Sequence, residues 1–251
     1  MFFQFSGKVA LVTGGSSGMG RATAIAYAKE GIKVVVADRN VQGGEETVSL
    51  VKANGGEAIF IQCDVSKEDQ VENLVKKTIE AYGRLDYAFN NAGIPAPQIE
   101  FVDFDAETYD KISDVDLKGY WLCMKYEISQ MLSQGGGVIV NTASVVGIRG
   151  GRRGAPYVAF KHGVVGLSKS AALEYALQNI RVNCVCPGEI DTAMNPLADA
   201  PPGAVEAVPM HRFGTPEDIA PAVLFLCCDG ASYITCLLYT SDAADDLIGV
   251  D

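Results

Sequence analysis

Short apolar, β-branched runs alternate along this chain with stretches whose apolar residues recur every three or four positions. Val9-Ala10-Leu11-Val12, Ile32-Lys33-Val34-Val35-Val36, Ala58-Ile59-Phe60-Ile61, Val138-Ile139-Val140 and residues 85–89 and 180–185 read as strands. They show no polar alternation, so each must be covered on both faces. The helical stretches between them carry their own ends. Ser66 with Asp69 three residues on predicts a capping box; Val71, Leu74, Val75, Ile79 and Tyr82 follow at helical spacing, and Gly83 supplies the stop. Thr215-Pro216-Glu217-Asp218 predicts a second capping box with proline in the first helical position. Strands separated by helices pair in parallel through right-handed crossovers. The expected fold is therefore α/β, a single doubly wound parallel sheet with helices on both faces.

Composition narrows the class further. No repeat, linker or low-complexity tract interrupts the alternation, and 251 residues suit one domain whose core needs no disulfide or metal. A chain 48% hydrophobic and 20% charged is neither disordered nor collagenous nor a coiled coil. Twenty Lys and Arg against 31 Asp and Glu leave a net charge of −11. Such a surface repels phosphate backbones, so no nucleic-acid partner is expected. The seven cysteines form no C-x-x-C pair and lie mostly in apolar runs, as reduced, buried residues do. Only His162 and His211 are present, which argues against a His-rich zinc site; no metal is expected, and His211 is read as structural. The start, MFFQFSGK, lacks the basic and apolar regions of a signal peptide, and the longest apolar run, 219–228, is about half a bilayer span. A soluble, cytoplasmic protein with no membrane partner is expected.

The first strand leads into Thr13-Gly14-Gly15-Ser16-Ser17-Gly18-Met19-Gly20, which opens a helix ending near Gly31. Glycine is needed where a turn is tight, where backbone N–H groups approach a pyrophosphate, and where a helix packs closely on a strand. The helix N-terminus adds partial positive charge. At the first strand–helix junction of an alternating chain, this is the context of a Rossmann-like dinucleotide site. Asp38 closes the second strand, about twenty residues on, where a carboxylate accepts hydrogen bonds from ribose hydroxyls and repels a 2′-phosphate. That favours NAD. Arg39 follows directly and could pair with a 2′-phosphate, which keeps NADP open.

Tyr157 and Lys161 sit four apart in a helical stretch running to about Gln178, so both side chains share one face. A phenol with an ordinary pKa of about 10 transfers protons poorly at neutral pH. A neighbouring ammonium, with an oxidised nicotinamide, stabilises the phenolate and lowers that value. Ser144 ends the strand 138–143, thirteen residues upstream of Tyr157. Asn90-Asn91-Ala92-Gly93 follows the fourth strand, and Pro187-Gly188 the sixth. With these five ordered motifs the chain resembles the short-chain dehydrogenase/reductase family over roughly residues 7–235.

The resemblance implies an NAD(P)-dependent alcohol dehydrogenase or ketoreductase, a homotetramer or dimer acting on a small alcohol or ketone. Tyr157 is then the acid in carbonyl reduction and the base in alcohol oxidation. Lys161 holds the nicotinamide ribose and depresses the tyrosine pKa; Ser144 binds the substrate oxygen. Gly14, Ser16, Ser17, Gly18, Met19 and Gly20 cradle the pyrophosphate. Asp38 and Arg39 meet the adenosine ribose, Asp64 and Val65 the adenine, and Asn91 and Gly93 line the ribose. Pro187, Gly188, Ile190 and Thr192 meet the nicotinamide. One position departs from the family, which places asparagine in a kinked helix and uses it to hold a relay water. Here Asp116 stands there, expected to ion-pair with Lys161. Residues 194–212 fall where the family has a substrate lid; with Val145, Tyr120, Ile94 and Met194 they imply a moderately apolar pocket unsuited to strongly anionic substrates. Two other readings remain. An enoyl reductase usually has six residues between tyrosine and lysine, against three here, and a non-catalytic cofactor-binding regulator normally lacks one of the three catalytic residues.

The dinucleotide-binding domain is expected to span 1–235, and 236–251 reads as a different segment. The family continues after Ala231-Ser232-Tyr233-Ile234-Thr235 with a glycine and a last apolar strand. Here Cys236-Leu237-Leu238-Tyr239-Thr240-Ser241-Asp242 follows, and one set of codons for 236–246 resembles a transposase adapter used in sequencing libraries. An adapter-derived replacement of the native end is expected, with Leu237, Leu238 and Tyr239 imitating the strand and the Asp-rich remainder poorly ordered. Without 236–251 the chain holds 27 acids and 20 bases, a net charge of −7.

Overall fold

The computed structural model describes residues 5–240. Strands β1 (Val9–Thr13), β2 (Lys33–Asp38), β3 (Ala58–Gln62), β4 (Tyr87–Asn90), β5 (Gly137–Thr142), β6 (Ile180–Cys186) and β7 (Leu238–Thr240) form one sheet. All neighbours are parallel, in the order β3-β2-β1-β4-β5-β6-β7. Helices α1 (Gly18–Lys29), α2 (Val41–Ala53), α3 (Glu68–Tyr82), α4 (Ala106–Ser113), α5 (Gly119–Gln134), α6 (Ala155–Tyr175), the short α7 (Ala204–Ala207) and α8 (Pro216–Cys227) lie between them. Pleating sends Ala10 and Val12 of β1 to one face, where Tyr27 of α1, Val51 of α2 and Val223 of α8 join the same core. Leu11 joins the opposite core with Leu74 of α3, Leu122 of α5 and Ala171 of α6. Two apolar faces per strand are what the unalternating runs required. Among the described residues, no helix is long and apolar enough to cross a membrane.

Local signals are mostly realised. Gly83 closes α3 at φ 79°, and the Thr215–Asp218 capping box forms at the head of α8. The Ser66 box does not form. Ser66 Oγ and N both turn to the Asp64 carboxylate, at 2.7 and 3.0 Å, and α3 starts at Glu68, one residue later than a Ser66 cap would place it, with Lys67 as a cap that offers no side-chain acceptor. A nearer carboxylate outcompetes the helix for the hydroxyl. At the other end of the chain, Leu238, Tyr239 and Thr240 pair with Cys184, Val185 and Cys186 of β6. The sheet is thus extended by 238–240, one position on from the expected 237–239, while the expectation for the Asp-rich end lies outside the described residues. Cys236 enters that strand at φ 65°. A side chain there costs roughly 1–2 kcal/mol relative to glycine, the residue the family resemblance places at this point.

A buried polar chain ties β4, β5, α5 and α6 together. Asn90 Nδ2 donates to Glu127 Oε2 at 2.9 Å and to Asn141 Oδ1 at 3.0 Å; Asn141 Nδ2 donates to Ser168 Oγ at 2.8 Å. Glu127 is wholly buried. Burial pushes its carboxyl up to about 7, against a smaller pull from the Asn90 bond. The folded chain therefore holds this proton more tightly than the unfolded chain, where the value is about 4.5. The resulting stability is complete below that lower value and is lost as pH rises through 7, by roughly 3 kcal/mol. Glu127→Gln cannot ionise and is expected to flatten this slope in urea melts between about pH 5 and 8. Parallel slopes for parent and variant would exclude a protonated Glu127.

Candidate active site

The glycine turn lies where the strand order reverses, with β2 on one side of β1 and β4 on the other. In such sheets the crevice beyond the strand ends is the binding place. Gly14 adopts φ 64° and Gly18 φ 50°. A Cβ on Gly14 would stand 2.8 Å from Ala92 Cα, and one on Gly20 would overlap the Gly14 carbonyl. Backbone thus meets backbone. Thr13 Oγ1 fixes the approach by accepting from the N–H of Asn91 at 3.0 Å and of Ala92 at 3.3 Å, while Asn91 Nδ2 donates to the Gly14 carbonyl at 3.3 Å. The cradle left by these glycines, at the head of a twelve-residue helix, fits a pyrophosphate.

Asp38 is tied to this turn. Its Oδ2 accepts from Ser16 N at 3.2 Å and its Oδ1 from Asn40 N at 2.8 Å. Gly14, Asp38, Arg39, Asp64, Val65 and Gly93 line one cleft, so residues from the ends of four strands meet as expected. Asp64 is oriented by Ser66. At the other side of the turn, a Cβ on Gly18 would touch Thr192 at 3.4 Å. Ile190 bridges to Gly214, and the Pro187 carbonyl accepts from Val145 N at 3.0 Å. Met19 packs its side chain against the apolar core, so any role it has at the turn belongs to its backbone.

The second cluster gathers on α6. Tyr157 and Lys161 share a face, and the Tyr157 hydroxyl is hydrogen-bonded to Ser144. Ser144 Oγ also accepts from Val146 N at 3.3 Å. Lys161 is buried. Its Nζ donates to the Thr142 carbonyl at 3.2 Å and to Tyr120 Oη at 3.5 Å, and stands 3.5 Å from Asp116 Oδ2. The ammonium lies 5.4 Å from the Tyr157 ring centre and 4.9 Å from that of Tyr120. Asp116 sits in a π-helical turn, Asp114–Lys118, between α4 and α5, the kind of local widening that recurs at functional sites. Its Oδ1 accepts from Ile94 N at 2.9 Å. All four expected catalytic positions therefore meet, and the expected Asp116–Lys161 ion pair is present.

Electrostatics alters one expectation. Burial pushes the Tyr157 phenol above its ordinary value of 10; the Lys161 ammonium and the Ser144 bond pull it down by less, and Asp116 adds to the rise. Lys161 alone therefore does not bring the phenol toward neutrality, because burial outweighs the ammonium's pull and the Asp116 carboxylate adds to the rise. Burial works against the Lys161 ammonium, but Tyr120, Asp116 and Tyr157 outweigh it and hold the lysine charged. For Asp116, burial raises the carboxyl, opposed by Lys161 and the Ile94 N–H.

The pocket differs from expectation in two residues. Tyr120 and Val145 are both buried, and Tyr120 belongs to the lysine cluster instead of an open wall. Met194 is half-exposed. The stretch 194–212 holds one 3-10 turn, Leu197–Asp199, and α7. Asn195 anchors its start through Glu189 Oε2 at 2.8 Å, and Arg212 grips Asp218 at 2.7 and 3.2 Å at its end. His211 is exposed at φ 50°. Thr13 and the Thr142 carbonyl were not singled out by the sequence. Thr13 heads the glycine turn, which was a readable signal; a backbone carbonyl leaves none.

A sheet with this reversal, a glycine cradle and a Ser–Tyr–Lys cluster defines a nucleotide-dependent oxidoreductase, and comparison with known proteins agrees. The family model described as Enoyl-(Acyl carrier protein) reductase matches residues 14–243. Cyclohexanol dehydrogenase of Acinetobacter sp. (strain SE19) is 39% identical over 242 residues, 96% of each chain. Levodione reductase of Leifsonia aquatica is 39% identical over 95% of this chain and 94% of its own. The crystal structure of Levodione Reductase superposes with a TM-score of 0.90 at 40% identity, covering 95% of this chain and 97% of that one. The chain belongs to the short-chain dehydrogenase/reductase family, and it is an NAD(P)-dependent oxidoreductase.

Proposed function

We propose that the protein interconverts a secondary alcohol and its ketone, with NAD(H) as the partner and a small cyclic, uncharged molecule as the substrate class. The observation that carries this reading is the Ser144–Tyr157–Lys161 cluster, joined through Asp116 to Ile94 on the wall of the cleft that Asp38 also lines. The names of the relatives, which act on cyclohexanol and levodione, support the cyclic class. The bound nicotinamide supplies or accepts the hydride. Ser144 orients the substrate oxygen, and Tyr157 gives that oxygen a proton in reduction or takes one from the alcohol in oxidation. Lys161 holds the nicotinamide ribose through its ammonium. Gly14, Ser16, Ser17, Gly18 and Gly20, with the Met19 backbone, hold the pyrophosphate; Asp64, Val65, Asn91 and Gly93 hold the adenosine, and Pro187, Gly188, Ile190 and Thr192 the nicotinamide. A cytoplasmic homotetramer is the assembly we infer, supported by exposed Trp121 and Leu132 on α5 and Leu173 on α6. The segment 236–251 is, in this reading, an adapter-derived substitute for the native end.

Asp38 supports NAD over NADP. Its two oxygens already accept one N–H each, which leaves lone pairs for ribose hydroxyls but none of the donors a phosphate needs. A panel of cyclic alcohols and ketones, followed by absorbance of NADH and NADPH, is expected to show turnover with clear preference for NADH. Asp38→Ala should narrow that preference, because exposed Arg39 is then free to pair with a 2′-phosphate. Equal kcat/KM for both cofactors in the parent protein would overturn the NAD assignment, and no turnover across the panel would overturn the substrate class.

A further inference from the structure

The catalytic cluster contains a buried carboxylate whose ionic partner is Lys161. Asp116 and Lys161 are both buried, with side chains 1% and 4% exposed, at 3.5 Å from each other. Asp116 Oδ2 finds no hydrogen-bond donor of good geometry, so its contact with Nζ is ionic. Water cannot screen a pair enclosed in this way. Around it the charged and titratable groups are few. From α5 comes Tyr120, from α6 Tyr157, and from the loop after β6 exposed Glu189, which adds a weak negative field at Tyr157. The β4 loop contributes only the Ile94 N–H, and β5 the Thr142 carbonyl and Ser144.

We propose that Asp116 is a positioning residue that acts through Lys161, cancelling much of the ammonium's field at Tyr157 and thereby setting the pH at which that phenol exchanges its proton. The proposal rests on the reading of Tyr157 as the proton-transfer residue. An asparagine at the same place would keep the hydrogen bond from Ile94 N, since its carbonyl oxygen also accepts, but would leave the full positive charge facing the tyrosine. With the carboxylate present, the phenol stays protonated further up the pH scale. A protonated phenol is the form that donates to a ketone, and a phenolate is the form that takes a proton from an alcohol. Asp116 therefore poises this chain for carbonyl reduction at neutral pH and moves alcohol oxidation to more alkaline conditions. The favourable direction of the overall equilibrium is unchanged, because a catalyst's side chain alters forward and reverse rates alike at a given protonation state.

The test compares parent, Asp116→Asn and Asp116→Ser, the last in case the amide does not fold well. The protein without nucleotide is titrated by the near-ultraviolet tyrosinate band, with Tyr157→Phe identifying which part of the signal belongs to Tyr157. The Tyr157 transition is expected to fall by about one pH unit when the carboxylate is removed. In the loaded enzyme, the rising limb of kcat/KM for alcohol oxidation should move by the same amount, giving about a tenfold gain at a pH below both transitions. An unmoved tyrosinate transition in both neutral variants overturns the proposal. The spectroscopic result stands apart from turnover. If Tyr157→Phe keeps full activity, the catalytic reading fails while the titration still decides whether Asp116 governs the phenol.

Discussion

Tyr157→Phe is expected to lower kcat by about 10²–10⁴-fold, the usual worth of a positioned proton donor. The phenyl ring still fills its place on α6 and still lies beneath the Lys161 ammonium, so NADH affinity measured by fluorescence titration should hardly change. The loss therefore falls on the chemical step, where a developing alkoxide needs a proton at the moment the carbonyl carbon is reduced. Ser144 cannot substitute, since its hydroxyl orients the same oxygen and lacks an ammonium beside it. A variant with more than about a tenth of the parent kcat would show that Tyr157 is not the proton-transfer residue.

Lys161→Met carries the second large effect, and it is mainly one of stability. Removing the ammonium leaves Asp116 buried with only the Ile94 N–H as a partner. Breaking a buried pair in this way costs about 3–5 kcal/mol, most of it the uncompensated charge. Activity should vanish as well, since Lys161 is the proposed ribose contact. The double variant Lys161→Met with Asp116→Asn removes both charges and is expected to recover most of the stability while remaining inactive. Urea denaturation of the four proteins gives the coupling directly. Additive losses would mean that the two side chains do not interact across their 3.5 Å.

Much of the site was legible because its signals are local. The glycine turn, the Asp38 strand end and the Tyr157–Lys161 spacing each occupy a few residues whose types answer a requirement of backbone geometry or helix phase. The failures were also local signals, each overridden by a neighbour. Ser66 has the right partner at the right distance for a capping box, yet the Asp64 carboxylate two residues back captures its hydroxyl. Tyr120 reads as an apolar wall residue on a helix, but the helix carries it inward, where its hydroxyl faces Lys161 at 3.5 Å. The Asp116–Lys161 pair, by contrast, was expected, and the widened turn at Asp114–Lys118 carries it.

The sequence by itself determined the parallel sheet, the place of its crevice, the family and the residues that carry the proposed chemistry. Short, unalternating β-branched runs bounded by turn residues favour strands buried on both faces, and glycines at a strand–helix junction leave few conformations. Tertiary structure alone decided the balance of charge at the site. Asp116, Tyr120, Thr142 and Lys161 come from the π turn, α5, β5 and α6, and nothing in their spacing states that they converge within 3.5 Å of one ammonium. Whether Tyr157 holds or releases a proton depends on those distances and on the burial around them. The Coulomb energy of such a group varies inversely with separation and with the local dielectric, and both are properties of the folded packing.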